Sequence, residues 1–134
     1  MIWEITPILG GEFGMVRDDI KYENGNPGHS EMVPSYIFLL ESKLGKVLVD
    51  TSFGDPQKCR EKLGLIVKRE KPLVRILADA GINPEEITAI ILTHLHWDHA
   101  ANCDIFPYSK IYCQQLELDA AFTPGSDYPP VFVE

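Results

Sequence analysis

Thr88-Ala89-Ile90-Ile91-Leu92-Thr93-His94-Leu95-His96-Trp97-Asp98-His99 is the stretch on which the reading of this chain turns. Its apolar first half predicts a buried strand, and the polar cluster follows without a spacer. Open α/β sheets place ligands at the carboxyl ends of their strands, which is where this cluster sits. In an extended segment residues two apart point the same way, so His94 and His96 can bind one ion together. A turn into helix near Trp97 presents Asp98 and His99 from its first turn towards a neighbouring point. Neutral imidazoles and a carboxylate suit zinc and other borderline divalent ions. Four ligand-type side chains within residues 94–99 can therefore serve two metals side by side. Three of the four histidines of the chain fall in that stretch. A closed structural zinc site fits less well, since such sites usually draw on cysteine and on ligand pairs from separate loops.

The flanking sequence alternates strands with helices, which gives a mixed α/β class. Tyr36 to Glu41 and Val47 to Val49 predict two strands, joined by a turn over Ser42-Lys43-Leu44-Gly45-Lys46 into a hairpin. Both are nearly continuous apolar runs, the pattern of a sheet covered on both faces. Residues 2 to 9 read as a first strand, with Ile2, Ile5, Ile8 and Leu9 as its apolar positions. Gly10 to Pro34 is rich in Gly, Asn, Pro and charge and predicts a long loop, with room for a short strand around Met15 to Arg17. Pro56 to Leu63 predicts a short helix. Pro72 to Ala80 predicts a better one, with Leu73, Ile76, Leu77 and Ala80 as its stripe and Gly81 as its stop. Asn83 caps a single turn before the buried strand. Lys110 to Cys113 reads as a short strand and Gln114 to Phe122 as a helix, followed by an irregular tail. Its last apolar stretch, Val131-Phe132-Val133, has the character of another strand's beginning.

A chain of 134 residues is enough for one domain with one core, spanning 1–134. The formal net charge of -8 repels a polyanion, and the densest basic stretch, Lys68-Arg69-Glu70-Lys71, carries its own acid. That stretch is expected to be a solvated helix end or loop, and no nucleic-acid partner is expected. No apolar run is long enough to span a bilayer, so no membrane partner is expected. The start of the chain does not read as a signal peptide, which makes a cytoplasmic setting the expectation. Cys59, Cys103 and Cys113 show no CxxC spacing and are expected to be free thiols, with Cys103 alone near the histidine cluster.

The pattern His94-x-His96-x-Asp98-His99 after a buried strand resembles the signature of the metallo-β-lactamase superfamily. Val33-Pro34-Ser35-Tyr36-Ile37, Lys46-Val47-Leu48-Val49-Asp50-Thr51, Glu61-Lys62-Leu63-Gly64 and Ala80 to Ile87 are similar to the N-terminal part of N-acyl-homoserine-lactonase-like members. The resemblance covers roughly residues 33 to 120. It implies the N-terminal half of an αββα sandwich, a mixed sheet with flanking helices. It also implies that His94 and His96 hold one zinc ion and that Asp98 and His99 hold a second, other divalent metals being acceptable. The resemblance further implies that a hydroxide held by the ions would attack a lactone, ester, amide or thioester carbonyl of a small molecule, and that Asp98 would also accept a proton in catalysis. Asp50 matches an aspartate that supports the metal ligands from behind, and Thr93 can help orient them. Trp97 is expected to pack in the core.

The departure from the family is large. Its members supply a third histidine to the first metal, a bridging aspartate and a last histidine, all from the second half of the fold. After His99 this chain has no histidine, and Asp104, Asp119 and Asp127 lack a recognisable bridging context. His29 lies in the early loop and is expected to face solvent. The resemblance therefore implies a metal-dependent hydrolase whose site requires the C-terminal half of the fold or a homo-oligomer partner. The alternative is a non-catalytic half-domain that oligomerises and binds metal weakly. A redox branch using iron is disfavoured, because such members usually carry an acidic residue where His96 stands.

Overall fold

Strands β1 (Glu4–Met15), β2 (Glu31–Ser42) and β3 (Gly45–Val49) build an antiparallel meander in the computed structural model, which describes residues 2–15 and 31–125. Gly45, at φ 137°, closes the two-residue turn between β2 and β3 in a conformation that a side chain would strain. Helix α1 (Pro56–Leu63) starts on Asp55, whose carboxylate accepts the Lys58 amide at 2.9 Å, and stops at Gly64 in the left-handed region. Strand β4 (Val67–Lys68) returns to pair with β1 at Glu12 and Phe13. Helix α2 (Leu73–Asp79) packs Leu73 and Leu77 inward. Asn83 caps the single 3-10 turn Pro84–Glu86 by accepting the Glu85 amide at 3.1 Å, and β5 (Ile87–Ile91) follows. The short helix α3 (Trp97–Ala100), strand β6 (Lys110–Tyr112) and helix α4 (Gln115–Phe122) complete the order.

The sheet is mixed, in the order β4-β1-β2-β3-β5-β6. β3, β5 and β6 run parallel, so the carboxyl ends of β3 and β5 lie side by side. Cross-strand rows separate its two faces. Leu39, Leu48 and Ile90 stand opposite one another in register and are buried under α2 together with Ile8, Ile37, Leu73, Leu77 and Ile82. Each such side chain gains about 1.5–3 kcal/mol by leaving water. The neighbouring row, Pro7-Phe38-Val49-Ile91-Tyr112, faces the other way, and Phe38, Ile91 and Tyr112 are exposed. The expectation of a sheet covered on both faces is thus met on one face only in this chain.

Two further expectations change. Gly10 to Gly14 and Glu31 to Pro34, read as loop, are strand. Their glycines are there for packing: a Cβ on Gly10 would collide with the Ser52 side chain, and one on Gly11 would lie 2.8 Å from the Lys68 carbonyl and strike the Phe53 ring. The register shifts between Leu9 and Gly11, so a bulge absorbs this close approach. The basic stretch is also not simply solvated. Lys68 ends a strand, and Arg69 is half-buried with its guanidinium turned inward. The expectations for His29, Asp127, Val131-Phe132-Val133 and a strand reaching Arg17 lie outside the described residues.

Candidate metal centre

The site forms where β3 and β5 end together. Beyond β3 the chain enters Asp50-Thr51-Ser52-Phe53, all buried. Asp50 and Ser52 hold φ of 62° and 61°, a region uncommon for non-glycine residues and more so for serine than for aspartate, and their surroundings hold them there. Several contacts do so. The Asp50 amide donates to the Ile91 carbonyl at 3.0 Å, tying the loop to β5, and the Thr51 hydroxyl donates to the His99 carbonyl at 3.0 Å. The Asn102 side-chain amide donates to the Thr51, Ser52 and Phe53 carbonyls at 2.7, 3.1 and 2.7 Å.

Asp50 is the hub of the polar network. One carboxylate oxygen accepts the Thr93 amide at 2.8 Å. The other accepts the Thr93 hydroxyl at 2.8 Å and lies 2.8 Å from His99 Nδ1. A carboxylate only accepts, so His99 Nδ1 carries the proton there and Nε2 points away from Asp50. The Thr93 hydroxyl, having given its proton to Asp50, accepts from His94 Nδ1 at 3.1 Å. His94 is fixed in the same tautomer, with Nε2 available. One buried aspartate thereby orients two of the four candidate ligands, one directly and one through a threonine. This is the arrangement by which outer carboxylates aim metal-binding imidazoles.

The candidate ligands themselves are grouped as their spacing predicts. His96 is extended, at φ -69° and ψ 154°, and the His94 and His96 rings meet edge to face with centroids 4.7 Å apart. The chain then turns into α3. Trp97 goes into a second core with Phe13 and Phe53, while Asp98 and His99 stay on the rim. His99 Nε2 lies 3.2 Å from an Asp98 carboxylate oxygen. Two ligands at about 2.0 Å on a tetrahedral zinc ion stand about 3.3 Å apart, so this pair fits around one ion. The His94 and His99 ring centroids are 4.0 Å apart, which brings both candidate pairs into one cluster. Among the described residues no three His, Cys, Asp or Glu side chains converge on one ion. The donor set is right in kind and comes in twos.

The electrostatics agree with that geometry. Burial raises the Asp50 carboxyl, but its bonds to His99 and Thr93 outweigh this and hold it below the usual carboxylate value. Burial opposes ionisation of Asp98 too, and the His99 hydrogen bond and charge again prevail, lowering it. Burial, then the neighbouring His99 and His96, lower His94 and favour the neutral ring a metal needs. Burial works against a charged His99, yet Asp50 and Asp98 on its two nitrogens push it up to about 9. A metal taking Nε2 must therefore displace a proton.

Sequence reading missed Ser35, Ser52, Arg69 and Asn102. Ser35 Oγ donates to the Asp98 carbonyl at 3.0 Å and lies 2.9 Å from Ser52 Oγ. Arg69 donates to the carbonyls of Gly10, Phe53 and, at 3.0 Å, Gly54, and stacks 4.2 Å over the Phe53 ring. Isolated serines and an arginine in a charge run carry no pattern that marks them. Cys103 is half-buried beside Thr51, with Sγ 3.4 Å from the Ala100 carbonyl, and packs under the site rather than entering it.

A mixed sheet with imidazoles and a carboxylate grouped at adjacent parallel strand ends defines an α/β domain with a candidate metal centre. The chain belongs to the metallo-beta-lactamase superfamily, whose family model matches residues 9–125. An N-acyl homoserine lactonase of Bacillus cereus is 34% identical in an alignment 105 residues long that covers 71% of this chain and 42% of that protein. An N-acyl homoserine lactone hydrolase solved with its product N-hexanoyl-L-homoserine at the catalytic metal center is similar at a TM-score of 0.81. It is 27% identical, over 96% of this chain and 55% of that one. The dizinc quorum-quenching lactonase AidC shares the fold at a TM-score of 0.63 and 23% identity, over 87% of this chain and 43% of that one. The chain spans about half the length of the relatives it matches.

Proposed function

We propose that this chain carries the metal-binding part of a metal-dependent lactone hydrolase. The observation that carries the reading is the Asp98–His99 pair, spaced for one ion and backed by Asp50, beside His94 and His96. The similarity to N-acyl homoserine lactonases supports a small-molecule lactone as substrate. His94 and His96 would hold one divalent ion, zinc by preference, and Asp98 and His99 a second. Divalent ions held there lower the pKa of water towards neutrality and polarise a substrate carbonyl.

The chain's own residues have distinct tasks. Asp50 keeps the Nδ1 proton of His99 in place and, through Thr93, that of His94, so that both Nε2 atoms face the site. Asp98, ionised and only partly exposed, would accept the proton of the attacking water and pass it to the ring oxygen as the lactone C–O bond breaks. Further donors to each ion would come from polypeptide beyond these four residues, either more chain or a second copy. A cytoplasmic setting belongs to the same proposal, and the free thiols of Cys59, Cys103 and Cys113 support it.

The test is ring opening of N-hexanoyl-homoserine lactone, followed by proton release, with zinc supplied. Turnover that requires zinc and disappears in His96→Ala and in Asp98→Ala is expected. Protein that retains no zinc and opens no lactone would overturn the reading for this chain. The exposed row Phe38, Ile91 and Tyr112 favours a second reading, a half-domain that associates through this face without catalysis. A zinc-free, inactive dimer in sedimentation would support it.

A further inference from the structure

We infer that Arg69 is a positioning residue for the metal centre, acting through the loop after β3. The inference rests on the reading of His99 and Asp98 as ligands. Arg69 touches neither. It grips what holds them. Its guanidinium donates to the Gly10, Phe53 and Gly54 carbonyls, and to Ser52 Oγ at 3.3 Å. The planar fork suits this task because several N–H groups lie in one rigid plane.

Two routes lead from it to the ligands. The first is backbone. Asp50-Thr51-Ser52-Phe53 contains two residues at positive φ; Asn102 holds its last three carbonyls from one side, and Arg69 holds that of Phe53 from the other. Releasing one side lets φ at Ser52 and Asp50 relax, and the Asp50 carboxylate then leaves His99 Nδ1. The second route is a directed hydrogen-bond chain. Ser35 spends its proton on the Asp98 carbonyl, so the Ser52 hydroxyl donates to Ser35 and accepts from Arg69. Arg69 to Ser52 to Ser35 to Asp98 is thus a continuous line of donors, ending on the backbone of a candidate ligand. Arg60, which donates to the Val67 carbonyl at 2.7 Å, is a nearby arginine without either route.

The experiment uses the metal-free protein labelled with 15N in histidine, and reads the ring N–H proton of His99 that faces Asp50, assigned by its loss in His99→Gln. Arg69→Met is expected to speed exchange of this proton until its signal is lost, while Arg60→Met leaves it intact. Cobalt titration, read by visible absorption, is expected to show affinity falling about tenfold in Arg69→Met, the order found when outer partners of metal ligands are removed. An unchanged His99 signal and cobalt midpoint in Arg69→Met would overturn the inference, as would equal loss in Arg60→Met. Should Arg69→Met fail to fold, Arg69→Lys is read by the same proton: faster exchange supports the inference and an unchanged rate overturns it. Absence of cobalt binding by the unsubstituted protein counts against the metal reading alone, since the His99 signal decides the role of Arg69 without metal.

Discussion

The two ends of the β3–β5 pair carry similar ion pairs and use them differently. At the amino end Lys46 Nζ meets the Glu86 carboxylate at 2.7 Å, and at the carboxyl end His99 Nδ1 meets Asp50 at 2.8 Å. Distance does not separate them. Exposure does: the Glu86 side chain is 53% exposed and that of Asp50 6%. In water the pair at the amino end gains little, because solvent competes for both partners. Behind the buried loop the carboxylate has no such alternative, so its three hydrogen bonds fix where its partners point. The same strands thus end once in a solvated surface and once in an oriented cluster of donors.

The comparison breaks most visibly if the hydrophobic support of the carboxyl end is removed. Trp97→Ala empties space between Phe13 and Phe53 and is expected to cost about 3–5 kcal/mol in urea unfolding. Asp50→Asn keeps a residue that tolerates positive φ while removing the charge, so the fold is expected to stand. Its cobalt affinity should drop about 10- to 100-fold, measured by titration. Thr93→Val keeps the volume and removes the hydroxyl that links Asp50 to His94, with a loss of about 1 kcal/mol in stability, again by urea. At the other end Lys46→Met should change stability by no more than about 0.5 kcal/mol. A Lys46→Met cost matching that of Thr93→Val in the same unfolding assay would erase the distinction between the ends.

Much of this was legible in the residues. The run to Leu92 followed by His94, His96, Asp98 and His99 gave the strand, the turn into helix and the grouping of donors, because spacing alone determines which side chains share a side. Gly81 and Asn83 marked a helix stop and a helix start through local chemistry that needs no tertiary contact, while the caps Asp55 and Gly64 were seen only in the structure. Gly10 and Gly11 misled, since their composition signals a loop while their reason for being there is the approach of Ser52 and Phe53, some forty residues away in sequence. Arg69 misled in the same way: its partners at Gly10, Phe53 and Gly54 come together only when β4 pairs with β1. What the sequence hid is the part of the site built from contacts between distant backbone carbonyls.

Crystals grown with zinc and measured at its absorption edge test the central claim most directly. The account predicts an anomalous peak about 2.0–2.2 Å from both Asp98 Oδ2 and His99 Nε2, with His99 Nδ1 still against Asp50. A zinc-soaked crystal with no peak at this pair, and with His99 Nε2 still bonded to Asp98, would contradict it.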